Sequence, residues 1–217
     1  MVLGYGFKDL SSDSLKVRPD RVPDPEMDIS LSVVGEDNVA ILGGGCFWCV
    51  DGIYRMIDGI TEVVSGYAGG AEDTANYEAV CRGNTGHAEV VLVRFDPSRI
   101  SYGQILKIFF AIAHDPTQLN RQGNDVGTQY RSVIFHMDAV QRQVAESYIR
   151  QLQEGEVFAA PIVTEVTLLD AFYEGEPYHQ DYAARNPAQP YIACLALPKI
   201  RKLREYFPDM LKGQSAA

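Results

Sequence analysis

Cys46 is preceded by Gly43-Gly44-Gly45 and followed by Phe47-Trp48-Cys49, a setting that suits a nucleophile. The apolar run Val39-Ala40-Ile41-Leu42 before the glycines reads as a buried strand. After them Phe47, Val50, Ile53, Tyr54 and Ile57 recur at three- and four-residue spacing, the stripe of a helix with one buried face. Cys46 therefore sits at a strand-to-helix elbow. Unpaired backbone N–H groups and the positive end of the helix dipole favour a thiolate there, and the thiolate is the attacking species. The competing reading is a small buried hydrophobe, but such a residue needs neither three glycines nor a helix start. Phe47 fits the apolar stripe. Trp48, the only tryptophan, does not, so its indole reads as one wall of a small pocket beside the thiol.

Glu89 lies in the alternating stretch 87–95, on the side that carries Val91, Val93 and Phe95. A carboxylate on an apolar face is costly unless paired or protonated. Glu89 is thus either a strand-end residue near water or a general acid whose neutral form burial favours. The polar stretch 117–131 is long for a simple connection. Its Asp125 and Tyr130, with Tyr77 from a short helix, could serve one pocket; the alternatives are a solvated turn and half-buried tyrosines. Cys46-x-x-Cys49 has the spacing of redox-active pairs, while Cys81 and Cys194 stand alone, without the second C-x-x-C or spaced histidine of a zinc site. A general disulfide oxidoreductase and a zinc-stabilised interaction module are the rival readings.

The elements that must hold these residues follow from periodicity. Residues 1–37, rich in Asp, Ser and Pro and without a period, read as an extended N-terminal arm that wraps the domain or is partly disordered; residues 38–217 read as one catalytic domain. Strands are expected at 62–67, 87–95, 132–136 and 162–169, and helices at 76–82, 102–114, from a cap at Asp138 to about 153, at 178–186 and from Pro198 to Pro208. The 87–95 strand is apolar on both faces and belongs near the middle of a sheet, and 191–197 reads as a late extended segment. Strands alternating with amphipathic helices indicate a mixed domain on one sheet. Nineteen basic against twenty-nine acidic side chains leave a net charge of −10, which argues against nucleic acid and anionic membranes as partners. No charged-then-apolar leader and no run near the ~20 residues of a membrane span is visible, so a cytoplasmic location is expected, where four cysteines would be reduced.

Gly45-Cys46-Phe47-Trp48, Ser65-Gly66-Tyr67, Tyr77-Glu78-x-Val80-Cys81, Gly83-x-Thr85-Gly86-His87-Ala88-Glu89, His114-Asp115-Pro116-Thr117, the run from Gly123-Asn124-Asp125 to Tyr130-Arg131-Ser132, and Tyr178-His179-Gln180-x-Tyr182 together resemble the A-type methionine sulfoxide reductases, over about residues 40–208. The resemblance implies an α+β fold, a two-layer α/β arrangement around a mixed sheet related to the ferredoxin-like plan. It implies that Cys46 attacks the sulfoxide sulfur, that Glu89, Tyr77 and Tyr130 polarise and protonate the oxygen, that Phe47 and Trp48 hold the S-methyl group, and that Asp125 binds through water. The substrates would be methionine (S)-sulfoxide in oxidised proteins and free, with no bound cofactor or metal, and with thioredoxin, or dithiothreitol in vitro, as reductant. Two positions depart from the common pattern. Cys49 stands where many members have glycine, and Cys194 lies two residues beyond the usual recycling position. Either could resolve the Cys46 sulfenic acid; the family's recycling region points to Cys194 first, with Cys49 as a relay.

Overall fold

A computed structural model describes residues 17–29 and 38–213. In chain order its main elements are β1 (Val39–Gly44), α1 (Phe47–Tyr54), β2 (Ile60–Ala68), α2 (Tyr77–Val80), β3 (Ala88–Phe95), α3 (Tyr102–Ile108), β4 (Arg121–Gln122), β5 (Asp125–Val126), β6 (Ser132–His136), α4 (Ala139–Glu154), β7 (Glu165–Leu168), β8 (Phe172–Glu174), α5 (Tyr182–Arg185) and α6 (Leu197–Tyr206). Six strands form one mixed sheet in the order β7-β6-β1-β3-β2-β8. Only β6 and β7 run parallel. The expected α+β architecture is present.

The doubly apolar 87–95 stretch becomes β3, inside the sheet between β1 and β2. Its Val91 and Val93 face the larger core, where β1 and β2 meet α1, α3 and α4 through residues such as Val50, Ile105, Phe109 and Tyr148. Its Ala88 and Val90 face a thinner cluster with Ile41, Val133 and Phe135, covered by Leu169 and Phe172. Alternation thus places Glu89 on the helix-covered side, under the start of α1. Asp138 caps α4 by accepting the Val140 and Gln141 N–H groups, and Gln141 accepts the N–H of Met137 rather than of the cap itself.

Several expectations are corrected. The segment 191–197 is helical: Ile192–Ala196 form a π-turn that runs into α6. Pro198 has no N–H to give an α-type bond, and the wider turn, closed from the Leu197 N–H to the Ile192 carbonyl, buries Ile192 and Ala196 together. A second π-turn, Phe109–Ala113, ends the helix begun by α3 and stops at His114. The stretch 117–131 is structured, with a β4–β5 hairpin turning at Gly123 and a 3-10 turn at Thr128–Tyr130. The 178–186 helix divides into a 3-10 turn, Pro177–His179, and α5, and β8 lies beyond the expected 162–169 strand.

Of the N-terminal segment, residues 17–29 lie along α3 and α4, and the remainder is outside the described residues. Val22 is buried in the larger core, the Tyr148 hydroxyl donates to the Pro23 carbonyl at 2.6 Å, and Asp28 accepts the Gly103 N–H at 2.7 Å. Among the described residues no helix is long and apolar enough to cross a membrane.

Candidate active site

The glycines before Cys46 let three elements close on the elbow. A Cβ on Gly43 would stand 2.8 Å from Val133 Cγ1, and Gly45, at φ +85°, would drive a Cβ to 2.6 Å from Gln122 Cβ. The β4–β5 hairpin can therefore press against the turn only because glycine is there. Cys46 caps α1 and is 8% exposed. The Phe47 N–H, the first free donor of the helix, goes to the Glu89 carboxyl at 3.0 Å.

Glu89 is buried, and its pKa is pushed up to about 8, chiefly by that burial; the Phe47 N–H opposes the rise and the charges of Asp125 and Cys49 add to it. At neutral pH the carboxyl keeps its proton. One oxygen accepts from Phe47, so the other can donate an O–H to an oxygen beside Cys46.

Cys46 and Cys49 sit on the first turn of α1, where the Cys49 N–H donates to the Cys46 carbonyl at 3.1 Å, and their thiols titrate as a pair. The first proton leaves such a pair readily, because the remaining S–H stabilises the thiolate, and the second is held. The Cys46 thiol draws the Cys49 thiol down to about 7, while burial pushes the Cys46 thiol up, helped by Cys49 and by Glu89. The upward push on Cys46 has a structural cause: the helix donor is spent on Glu89 and the sulfur is nearly dry. A proton passed from Cys46 to Cys49 puts the charge on the attacking sulfur.

Tyr77 and Tyr130 both stand within electrostatic reach of Glu89 and Cys46; burial first, then Cys81 for Tyr77 and Glu89 and Cys46 for Tyr130, push their hydroxyls far above the usual range, so both remain donors. Asp125 accepts from the Tyr191 hydroxyl, which also reaches both thiols. Burial raises Asp125, and the Tyr191 bond and Lys199 oppose the rise. Trp48 is fixed on three sides: its indole N–H donates to His179 Nδ1 at 3.1 Å, Tyr182 stacks on it at 3.9 Å and Tyr191 meets it edge-on. Phe47 lies 4.9 Å from the His179 ring and 6.2 Å from Trp48. His179 is kept neutral by burial against the pull of Glu176, as an acceptor at Nδ1 requires. Glu176 holds the rim, accepting from the Tyr67 hydroxyl and the Tyr77 N–H, both at 2.9 Å.

The structure thus brings Cys46, Glu89, Asp125, Tyr77, Tyr130, Phe47, Trp48 and Cys49 around one space. Cys194 lies exposed on the π-turn, and Cys81 is exposed after α2, beside the Tyr77 hydroxyl. Among the described residues no group of three or more His, Cys, Asp or Glu is placed to hold a metal ion.

A family model described as peptide methionine sulfoxide reductase matches residues 38–211. The chain belongs to this family. A Synechocystis protein named peptide methionine sulfoxide reductase MsrA 2 is 49% identical over 197 residues, covering 89% of this chain and 92% of the relative. One from Trichodesmium erythraeum, named peptide methionine sulfoxide reductase MsrA, is 52% identical over 173 residues, covering 80% and 97%. Among solved structures, reduced Mxr1 from Saccharomyces cerevisiae aligns with a TM-score of 0.66 at 33% identity, covering 73% of this chain and 91% of that one. Methionine sulfoxide reductase A of Corynebacterium diphtheriae aligns at 0.57 and 31%, covering 78% and 85%. The chain is an oxidoreductase of this type.

Several further residues shape the reductase's site. His179 and Tyr182 were visible in their motif but had no role until the Trp48 contacts gave one. Tyr191 was hidden by the extended reading of its segment. Glu176 and Lys199 carried only the weak signal of charge beside apolar residues.

Proposed function

We propose that the reductase converts the S epimer of methionine sulfoxide, in proteins and free, to methionine through a sulfenic acid on Cys46. The observation that carries this reading is the protonated Glu89 carboxyl, bonded to the Phe47 N–H at the nucleophile's own helix start. The Cys46 thiolate attacks the sulfoxide sulfur while Glu89, with the Tyr77 and Tyr130 hydroxyls, donates to the oxygen. The oxygen passes to Cys46 with the Glu89 proton, methionine leaves, and the Glu89 carboxylate remains. Phe47 and Trp48 receive the S-methyl group and Asp125 orders water at the rim.

Of the two candidate resolving thiols, Cys49 is buried with Cys46 on one helical turn, its N–H on the Cys46 carbonyl at 3.1 Å, and Cys194 is exposed on its π-turn. That contrast supports a first disulfide between Cys46 and Cys49. Cys194 then carries the disulfide outward to thioredoxin, the physiological reductant in a reducing, cytoplasmic setting. Catalysis is assigned to residues 38–217 as one domain, with 1–37 as an arm.

The test is reduction of dabsylated methionine sulfoxide, one epimer at a time, with thioredoxin or dithiothreitol. Turnover of the S epimer alone is expected. Equal turnover of both epimers, or thiol-dependent activity on disulfides but not on sulfoxides, would refute the reading.

A further inference from the structure

Lys199 occupies a position where an apolar residue belongs. Ile192, Ala196, Lys199 and Leu203 follow at four-, three- and four-residue spacing, and all four are buried, Lys199 at 4% exposure. Its Nζ donates to the Ala113 carbonyl, the last of the second π-turn, at 2.6 Å. Among the described residues it forms no ion pair with a carboxylate. A buried cation held by one neutral acceptor is costly unless an anion nearby compensates it.

Its charged and titratable surroundings are few. Cys49 of α1 and Asp125 of β5 both feel its charge, and Asp125 is already bound by Tyr191. His114 is neutral, drawn down to about 3 by burial, and Lys202 of α6 is a like charge drawn down to about 8. Ala196, one turn before Lys199, packs against Cys49 in a small cluster with Ala183 and Ile192. Cys49 is faced in turn by Cys46 on its own helix, Glu89 of β3, Asp125 and the Tyr191 hydroxyl. Lys199 is the one cation among them.

We propose that Lys199 is the counter-ion of the resolving thiolate: its buried ammonium holds negative charge on the Cys49 sulfur as that sulfur attacks the Cys46 sulfenic acid. The proposal rests on Cys49 as first disulfide partner. In the step, the Cys49 thiolate forms the S–S bond to Cys46 and the S–O bond breaks. The hydroxyl leaves with a proton from solvent as water, Cys49 is oxidised and Cys46 is reduced. Lys199 touches neither sulfur and acts as a positioning residue.

The experiment is rapid-quench mass mapping of the full chain after one equivalent of methionine (S)-sulfoxide, across a pH series, in wild type and in Lys199→Gln, Lys199→Met and Lys199→Arg. Gln can still donate to the Ala113 carbonyl, and Met keeps the side chain's length without its charge. In either neutral variant the pH midpoint of disulfide formation should rise by about one unit. Below the midpoint the rate falls only about threefold, because about tenfold less thiolate is offset by greater nucleophilicity. Well above it the variant matches or exceeds wild type, and Lys199→Arg keeps the wild-type midpoint. An unchanged midpoint, or slowing by one factor at every pH, would overturn the proposal. A Cys46–Cys194 bridge forming first in wild type would overturn the reading beneath it, and the mass map tells the two failures apart.

Discussion

Glu89 keeps a proton that most glutamates lose, and the folded protein bears the cost of that arrangement. Its pKa stands at about 8 against 4.5 for an ordinary glutamate. Between those values the folded chain holds a proton that the unfolded chain has released, so stability falls as pH rises through that window. Glu89→Gln removes the effect. It should therefore stabilise the protein near neutrality, on the order of 3 kcal/mol, and leave stability unchanged below about pH 4.5. Thermal unfolding at both pH values checks this, and an equal shift at both would mean that burial does not hold the proton. Glu89 and Cys46 were legible because each breaks a local pattern, a carboxyl on an apolar strand face and a thiol after three glycines. Lys199 breaks a pattern too, but its stripe appears only once residues 192–206 are known to be helical. Tyr191 was illegible for the same reason.

At the scale of elements, β1, the elbow and the β4–β5 hairpin form one clamp. Gly45→Ala places a Cβ 2.6 Å from Gln122 Cβ at a φ of +85°. The left-handed conformation alone costs about 1–2 kcal/mol, and relieving the clash moves the hairpin that carries Asp125 and Gln122. A lower urea midpoint and a raised KM are expected together; a variant with wild-type values of both would show that the hairpin does not depend on the turn. The interior strands β1, β3 and β6 could be read from the sequence because their apolar runs are continuous. The two π-turns could not, because periodicity at 3.6 residues breaks where a residue is inserted. β8 has three residues, none of them buried, and so leaves little pattern.

For the whole molecule, residues 17–29 tie α3 to α4 from outside the sheet. Asp28 acts as a cap supplied from far along the chain, accepting the Gly103 N–H in the first turn of α3 and the Ser101 hydroxyl. Asp28→Ala should cost about 1 kcal/mol of stability, as loss of a cap does. Sulfoxide turnover should stay at the wild-type level, since the side chain's partners, Ser101 and Gly103, belong to the start of α3. Denaturant unfolding and steady-state rates measure the two separately, and a fall in turnover without a fall in stability would give this segment a part in catalysis.

The central claim is that Cys46 attacks as a thiolate while Glu89 supplies the proton, and single-turnover methionine release against pH tests it most directly. Wild type should rise through the ionisation of the thiol pair near 7 and fall as Glu89 loses its proton near 8. Glu89→Gln should be slower by roughly a hundredfold or more, with little change in substrate binding, and should lose the falling limb. A Glu89→Gln enzyme that releases methionine at the wild-type rate, or that keeps the same falling limb, would contradict the account.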